Sequence, residues 1–375
     1  MRLLILFLSV GAFLPAMSGE GDVFPYDIHK DTLDNGLQVV TVPFDSPGIV
    51  SFYVVVRVGS REEVEEGVTG FAHFFEHCMF RGTERFSKEG YNKKLQELAA
   101  AGNANTAIDR TLYYFTGNAN DLDTMFDIES DRFRYLKYPE HGFKTEAGAV
   151  LGEYNKNFAN PFRQLNEKVS STVFTKHTYG HTTMGYVEDI KDMPNQYEYS
   201  LKFFDRFYRP EYCTVMVVGD TTHEQVMSLS KKYFGDWERG NYVPQIPVEP
   251  EQTAERKCHV SMPGSTNLVA IYYRSPAFSD TKKDLIALGL ALELGFSPKS
   301  EIYTKLVQKE QKARFVASDV NDTKDPHMAG VLSWVYNLED VPAVRAEILE
   351  VIEKMKTVPV ADKDLADLKS RIKYE

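Results

Sequence analysis

The stretch His73-Phe74-Phe75-Glu76-His77 sets two imidazoles and a carboxylate within five residues. In a helix, positions i and i+4 stack one turn apart, so His73 and His77 can reach a single ion. Glu76 follows His73 at i+3 and shares that face. Two histidines and one further carboxylate ligand leave a fourth position for water, the layout of a catalytic zinc site rather than a structural one. The glutamate precedes the second histidine, so the motif is the inversion of H-E-x-x-H. A pair of core histidines is the plain alternative, but such a pair has no use for a carboxylate between them. Phe71, Phe74, Phe75 and Met79 supply an apolar stripe that would bury one side of the helix. Gly67 and Gly70 lie just upstream, and Gly82 marks a stop.

A third protein ligand has to come from a second element. Residues Gly142–Asn157 read as a helix, with Glu146, Val150, Glu153 and Asn157 recurring along one side. Glu146 and Glu153 are two helical turns apart, so their carboxylates point the same way. One can ligate while the other accepts a hydrogen bond from a ligating histidine. A solvated acidic face accounts for the same pair, and spacing alone does not choose.

More of the chain bears on that choice. Leu33-Asp34-Asn35-Gly36-Leu37, Val58-Gly59-Ser60-Arg61 and Gly82-Thr83 flank the motif on its two sides. Asn103-Ala104-Asn105-Thr106 follows, with Asp109, Thr111 and Tyr113, then His177, Tyr179-Gly180 and Gly185. Tyr208-Arg209-Pro210 and Val218-Gly219-Asp220 close the series. Together, from about Leu33 to Trp237, this pattern resembles the pitrilysin/insulysin family of inverted-motif zinc peptidases. Mitochondrial processing peptidases and many bacterial homologues belong to it. In that family a glutamate ligand follows the second histidine by about 76 residues, and Glu153 stands at that distance from His77. Glu146 matches the auxiliary glutamate seven residues earlier.

The resemblance implies one Zn2+ per chain, held by His73, His77 and Glu153, with Glu76 as general base and Glu146 supporting the ligands. Zinc lowers the pKa of bound water to roughly 7, and an adjacent carboxylate can take the proton and return it to a leaving amine. By the same likeness, Asn103, Ala104, Asn105 and Thr106 form an edge strand that pairs with the backbone of an extended substrate. Backbone pairing gives affinity with little side-chain selectivity. Read without the family, Gly102-Asn103 and Asn105 are turn formers. The implied activity is metalloendopeptidase cleavage of extended or unfolded peptides. The rival class is a non-catalytic assembly or peptide-binding subunit; such relatives lose ligands or base, and here all four residues are in place. A zinc storage protein would carry flexible His-rich tracts, and the chain has none.

His177 and His181 have no acidic partner at ligand spacing and read as hydrogen-bonding loop residues. Cys78 follows His77 but points some 100° away from the ligand face, so it reads as a buried thiol. Three cysteines form no disulfide framework. A net charge of −11 argues against nucleic acid as a partner.

At the N-terminus, Met1-Arg2, the apolar run Leu3–Pro15 and Ala16-Met17-Ser18 read as a secretory signal peptide over residues 1–18. Thirteen apolar-rich positions fall short of the ~20 that span a bilayer. Export to a periplasm or the exterior follows, with no membrane span after signal removal. Pro244, Pro247 and Pro250 mark a linker over 242–255. It separates a zinc-binding domain, 23–241, from a second, non-catalytic domain of the same fold, 256–375. Both are expected to be α+β, each a largely antiparallel sheet with helices on one face. In the second, strands are expected near His259–Met262, Leu268–Tyr273 and Gly330–Tyr336, and helices over Lys283–Leu294, Ser300–Lys309, Ala343–Lys356 and Asp362–Glu375. That last helix has no cap, so the second domain reads as either short or incomplete. The family completes its site with an arginine and a tyrosine from the other half of a clamshell. No segment here resembles that half, which implies a homodimer or a partner subunit.

Overall fold

The computed structural model describes residues 24–261 and 267–374. The leader assigned from sequence lies outside the described residues. In chain order the first sheet is built from β1 (His29–Thr32), β2 (Gln38–Pro43), β3 (Ile49–Val56), β4 (Ala101–Thr106), β5 (Thr111–Asn118) and β6 (Cys213–Gly219). Its helices are α1 (Phe71–Cys78), α2 (Lys88–Glu97), α3 (Leu122–Tyr135), α4 (Glu140–Phe158), α5 (Pro161–Val173), α6 (Val187–Asp192), α7 (Tyr197–Phe207) and α8 (His223–Phe234). The strand order is β1-β2-β6-β3-β5-β4. Only the β2–β6 pair is parallel; the other four pairings are antiparallel.

β3 shows why the sheet has one covered face. Its sequence IVSFYVVV buries Val50, Phe52, Val54 and Val56, while the residues between them stay partly exposed. That is the period of two expected of a strand with helices on one side. Across the sheet Phe52 sits opposite Phe115 and Val217, and it meets Phe126 of α3 edge-on at 4.8 Å. Tyr53, Tyr114 and Met216 line up on the other face.

The second sheet is smaller. β7 (Asn267–Arg274), β8 (Ala313–Val320) and β9 (Met328–Val335) pair antiparallel in the order β7-β9-β8. Against it lie α9 (Asp284–Phe296), α10 (Glu301–Tyr303), which runs on as a π-helical segment Thr304–Lys309, α11 (Val341–Thr357) and α12 (Asp362–Tyr374). A separate apolar core forms here, around Phe296, Leu306, Val331, Val335, Val344 and Ile348. Both halves are therefore α+β with a largely antiparallel sheet.

Two expectations change. The strand expected over His259–Met262 is absent from its described part: His259–Ser261 have no regular structure. The residues alternate as a strand would, but among the described residues β7 pairs with β9 alone and no strand lies beside them. Conversely, β8 gave no expectation. A register shift between Ala313 and Phe315 breaks its period of two, which removes the sequence signal.

Candidate active site

α1 begins at Gly70, whose φ of +92° places it in the left-handed region. A Cβ there would lie 2.6 Å from the Met184 carbonyl oxygen, so only glycine fits both the angle and the space. Phe71, Phe74, Phe75 and Cys78 are buried, as is Met79 just beyond the helix. Phe75 stacks on Phe203 at 5.3 Å, and Phe74 packs on Phe143 of α4 at 5.0 Å. Burying rings of this kind stabilises by about 2 kcal/mol each. With the apolar side committed to the core, His73, Glu76 and His77 are left on the opposite side.

α4 brings the third donor. Its core side holds Phe143, Ala147, Val150 and Tyr154, and Glu146 and Glu153 project two turns apart toward α1. Glu153 Oε2 lies 3.7 Å from His73 Nε2 and 3.3 Å from His77 Nε2. One ligand atom from each of these three residues lies within 4.8 Å of the other two. A tetrahedral site with ~2.1 Å bonds has edges of about 3.4 Å, so two imidazole nitrogens and a carboxylate oxygen at this spacing fit a zinc ion. Among the described residues this is the one group of three or more His, Cys, Asp or Glu so disposed.

The surroundings shift the two imidazoles in opposite directions. Burial, together with the neighbouring His77, pulls the His73 imidazole below its ordinary range, which keeps a nitrogen lone pair available. His77 Nδ1 stands 3.1 Å from Glu146 Oε1 and donates to it, leaving Nε2 directed toward Glu153. Glu146 raises the His77 pKa through that hydrogen bond. Burial raises the Glu146 carboxyl, but hydrogen bonds from His77 and Arg81 outweigh it and the net shift is downward. Arg81, a residue the sequence did not single out, grips Glu146 through both Nε and Nη2. Asn157, recognised in sequence only as part of the helix periodicity, donates to Glu153 Oε1 at 3.3 Å.

Glu76 is half-buried and lines a cleft of about 240 Å³ with His77, Phe80, Arg81, Lys88, Asn103 and Glu146. The segment Asn103–Thr106 belongs to β4, which is a strand and not a turn. It pairs with β5 on one side and ends the sheet on the other. Ala104 is buried while Asn103 and Asn105 are exposed. The cleft thus runs from the motif glutamate to an open sheet edge. His177 and His181 lie elsewhere. His177 Nε2 meets Asp325 at 3.0 Å, and His181 Nδ1 meets the Thr182 carbonyl at 3.0 Å.

A scan against protein-family models matches residues 39–186 to the insulinase family, peptidase family M16, and residues 196–372 to the family's "inactive domain". The chain is 30% identical over 346 residues to zinc protease PqqE of Helicobacter pylori, covering 90% of this chain and 77% of that one. A crystal structure of a protease from Helicobacter pylori superposes with a TM-score of 0.86 at 27% identity, over 93% of this chain and 84% of that one. The periplasmic protease PqqL of Escherichia coli shares the fold at a TM-score of 0.71 and 17% identity, over 93% of this chain and 40% of that one. With the two histidines and the glutamate gathered as they are, these matches identify the chain as a member of the insulinase family of zinc metallopeptidases.

Proposed function

We propose that the chain is a metalloendopeptidase that hydrolyses extended or unfolded peptides at the His73–His77–Glu153 centre. The convergence of Nε2, Nε2 and Oε2 beside an unbonded sheet edge is the observation that carries this reading. His73, His77 and Glu153 hold one zinc ion. When bound, that ion supplies a Lewis acid that acidifies water and polarises a peptide carbonyl. Glu76, on the same helical face and open to the cleft, takes the proton and returns it to the departing amine. Glu146, anchored by Arg81, orients His77 and fixes its tautomer. Asn103, Ala104, Asn105 and Thr106 offer the outer edge of β4 to a substrate backbone, which adds as a further strand.

The domain boundary is assigned to 242–255, consistent with the lack of helix or strand between α8 and β7 among the described residues. The second domain, 256–375, is taken as non-catalytic. The remaining half of the chamber is assigned to a second copy of the chain or a partner subunit. Residues 1–18 are read as a leader that directs export to a periplasm or the exterior, in keeping with the periplasmic PqqL neighbour. No helix among the described residues is long and apolar enough to cross a membrane.

The direct test is cleavage of a quenched, extended peptide by the purified chain, with and without a zinc chelator. Cleavage that stops with chelator and returns with zinc is expected. A folded, zinc-loaded chain that cuts nothing would point instead to a missing partner half, and one that still cuts nothing when the partner is supplied would favour the peptide-binding subunit.

A further inference from the structure

The loop between β8 and β9, residues 321–327, leaves the second sheet and fastens onto the first. Lys324 donates its backbone N–H to Asp109 Oδ2 at 2.8 Å, and its ammonium to the carbonyls of Asp109 at 3.1 Å and Arg57 at 3.0 Å. Asp325 accepts from Arg61 Nε at 2.6 Å and from His177 Nε2 at 3.0 Å. Its own backbone N–H donates to the Tyr179 hydroxyl at 3.2 Å, and that hydroxyl donates to Asp109 Oδ1 at 2.9 Å. His177 Nδ1 accepts the Tyr179 N–H at 3.1 Å, so the ring proton sits on Nε2 and points at Asp325. The groups of Lys324, Asp325, Asp109, Tyr179 and His177 named here thus pair in the correct sense.

What the junction grips matters more than its size. Asp109 sits in the turn 107–110 that joins β4 to β5. The same turn packs on residues 59–61: Arg61 donates its N–H to the Ile108 carbonyl at 2.9 Å. A Cβ on Gly59 would lie 2.3 Å from the Ala107 and Ile108 carbonyl oxygens, so this position also admits no side chain. Two residues beyond Arg61, the buried Glu63 carboxylate accepts the N–H groups of Gly70 at 2.8 Å and Ala72 at 2.7 Å, the first turn of α1. Segment 59–63 therefore touches the edge-strand turn at one end and the helix of His73 and His77 at the other.

We propose that Lys324 and Asp325 are positioning residues for peptide cleavage. By fixing the Asp109 turn against Arg61, they hold β4 at one height and register relative to α1 while an extended peptide pairs with it. β4 has no partner on its outer side among the described residues, so its placement depends on β5 and on this turn. The second half thereby contributes to substrate binding without touching substrate. This inference rests on the reading of β4 as the substrate strand.

The test uses the full chain carrying Lys324→Ala or Asp325→Asn, with Lys324→Arg as the conservative control and Asp109→Asn as the matching change on the turn. Amide exchange over residues 101–112 is expected to rise about tenfold, that over 71–78 to stay as in wild type, and zinc content to stay at one per chain. For a quenched extended peptide, KM is expected to rise about tenfold with kcat within about twofold, the signature of lost uniform binding. Asp109→Asn should reproduce this split, and Lys324→Arg should restore most of KM. Unchanged exchange in the hairpin overturns the proposal, as does a loss confined to kcat. Faster exchange with an unchanged KM also overturns it, and locates the fault in the assignment of β4 as the substrate strand. Failure of the peptidase reading itself would appear earlier, as a zinc-loaded wild-type chain that cuts nothing even with its partner half supplied.

Discussion

At the scale of single residues, the site divides, on the proposed reading, into groups that would hold an ion and one group that would move a proton. Glu76 shares the ligand face and opens to the cleft with His77 and Asn103. Glu76→Gln keeps the shape and removes the base, so zinc content should be unchanged while kcat falls by about 10²–10⁴-fold. Metal analysis alongside steady-state cleavage checks this, and full turnover in the zinc-loaded variant would remove Glu76 from the reaction. Arg81 acts one step further out. It holds Glu146, and Glu146 holds His77 Nδ1. Arg81→Met leaves all three ligands present but frees the carboxylate that orients one of them. Zinc affinity, read by chelator competition, should weaken by about 10–100-fold; an affinity equal to wild type would mean the His77 ring is fixed by packing alone. The two histidines left a helical trace in the sequence at i and i+4, whereas Glu153 was told from a solvated acidic residue only by the family resemblance, since the two-turn spacing of the glutamates did not choose. Arg81 left no trace, since its partner lies 65 residues away and on another helix.

At the scale of elements, the metal helix is defined as much by how it begins as by what it carries. Gly70 combines φ +92° with a Met184 carbonyl 2.6 Å from any Cβ. Gly70→Ala should therefore cost at least about 2 kcal/mol from backbone conformation alone, before the steric contact is counted. Urea unfolding of the zinc-free chain measures that, and a shift below about 0.5 kcal/mol would show that the helix start relaxes freely. Much at this scale could be read beforehand. The expected helix over 142–157 is α4. β4 was the harder case, because Ala-Gly-Asn-Ala-Asn-Thr has turn composition and becomes a strand through its pairing with β5. Tertiary context overrides propensity there.

At the scale of the whole molecule, the junction between the halves was invisible in the sequence. Arg61 and Asp325 are 264 residues apart, and a polar contact of that range has no period to detect. Its chemistry does predict how the molecule responds to acid. His327 ends the loop that carries Lys324 and Asp325, and its ring packs against Phe174 at 5.2 Å and Tyr179 at 4.9 Å. It is buried, and burial, with a smaller push from the Arg274 cation, outweighs the upward pull of the Met328 backbone, Asp319 and Asp109 and brings its pKa down to about 4 against an ordinary 6.5. As pH falls, the unfolded chain takes up this proton near pH 6.5, whereas the folded chain resists until about pH 4. The stability tied to a neutral His327 is thus complete above pH 6.5 and lost progressively between 6.5 and 4. Its size is about 3 kcal/mol at 1.36 kcal/mol per unit. His177, also held below its ordinary range by burial, acts in the same direction, so the wild-type curve alone cannot separate the two. The comparison with His327→Gln does. Denaturant unfolding at pH 7 and pH 4 should show the wild type losing about 3 kcal/mol more than the variant over that interval. Parallel losses would mean that His327 titrates normally in the folded chain, and that its contacts with Phe174 and Tyr179 open at no cost in acid.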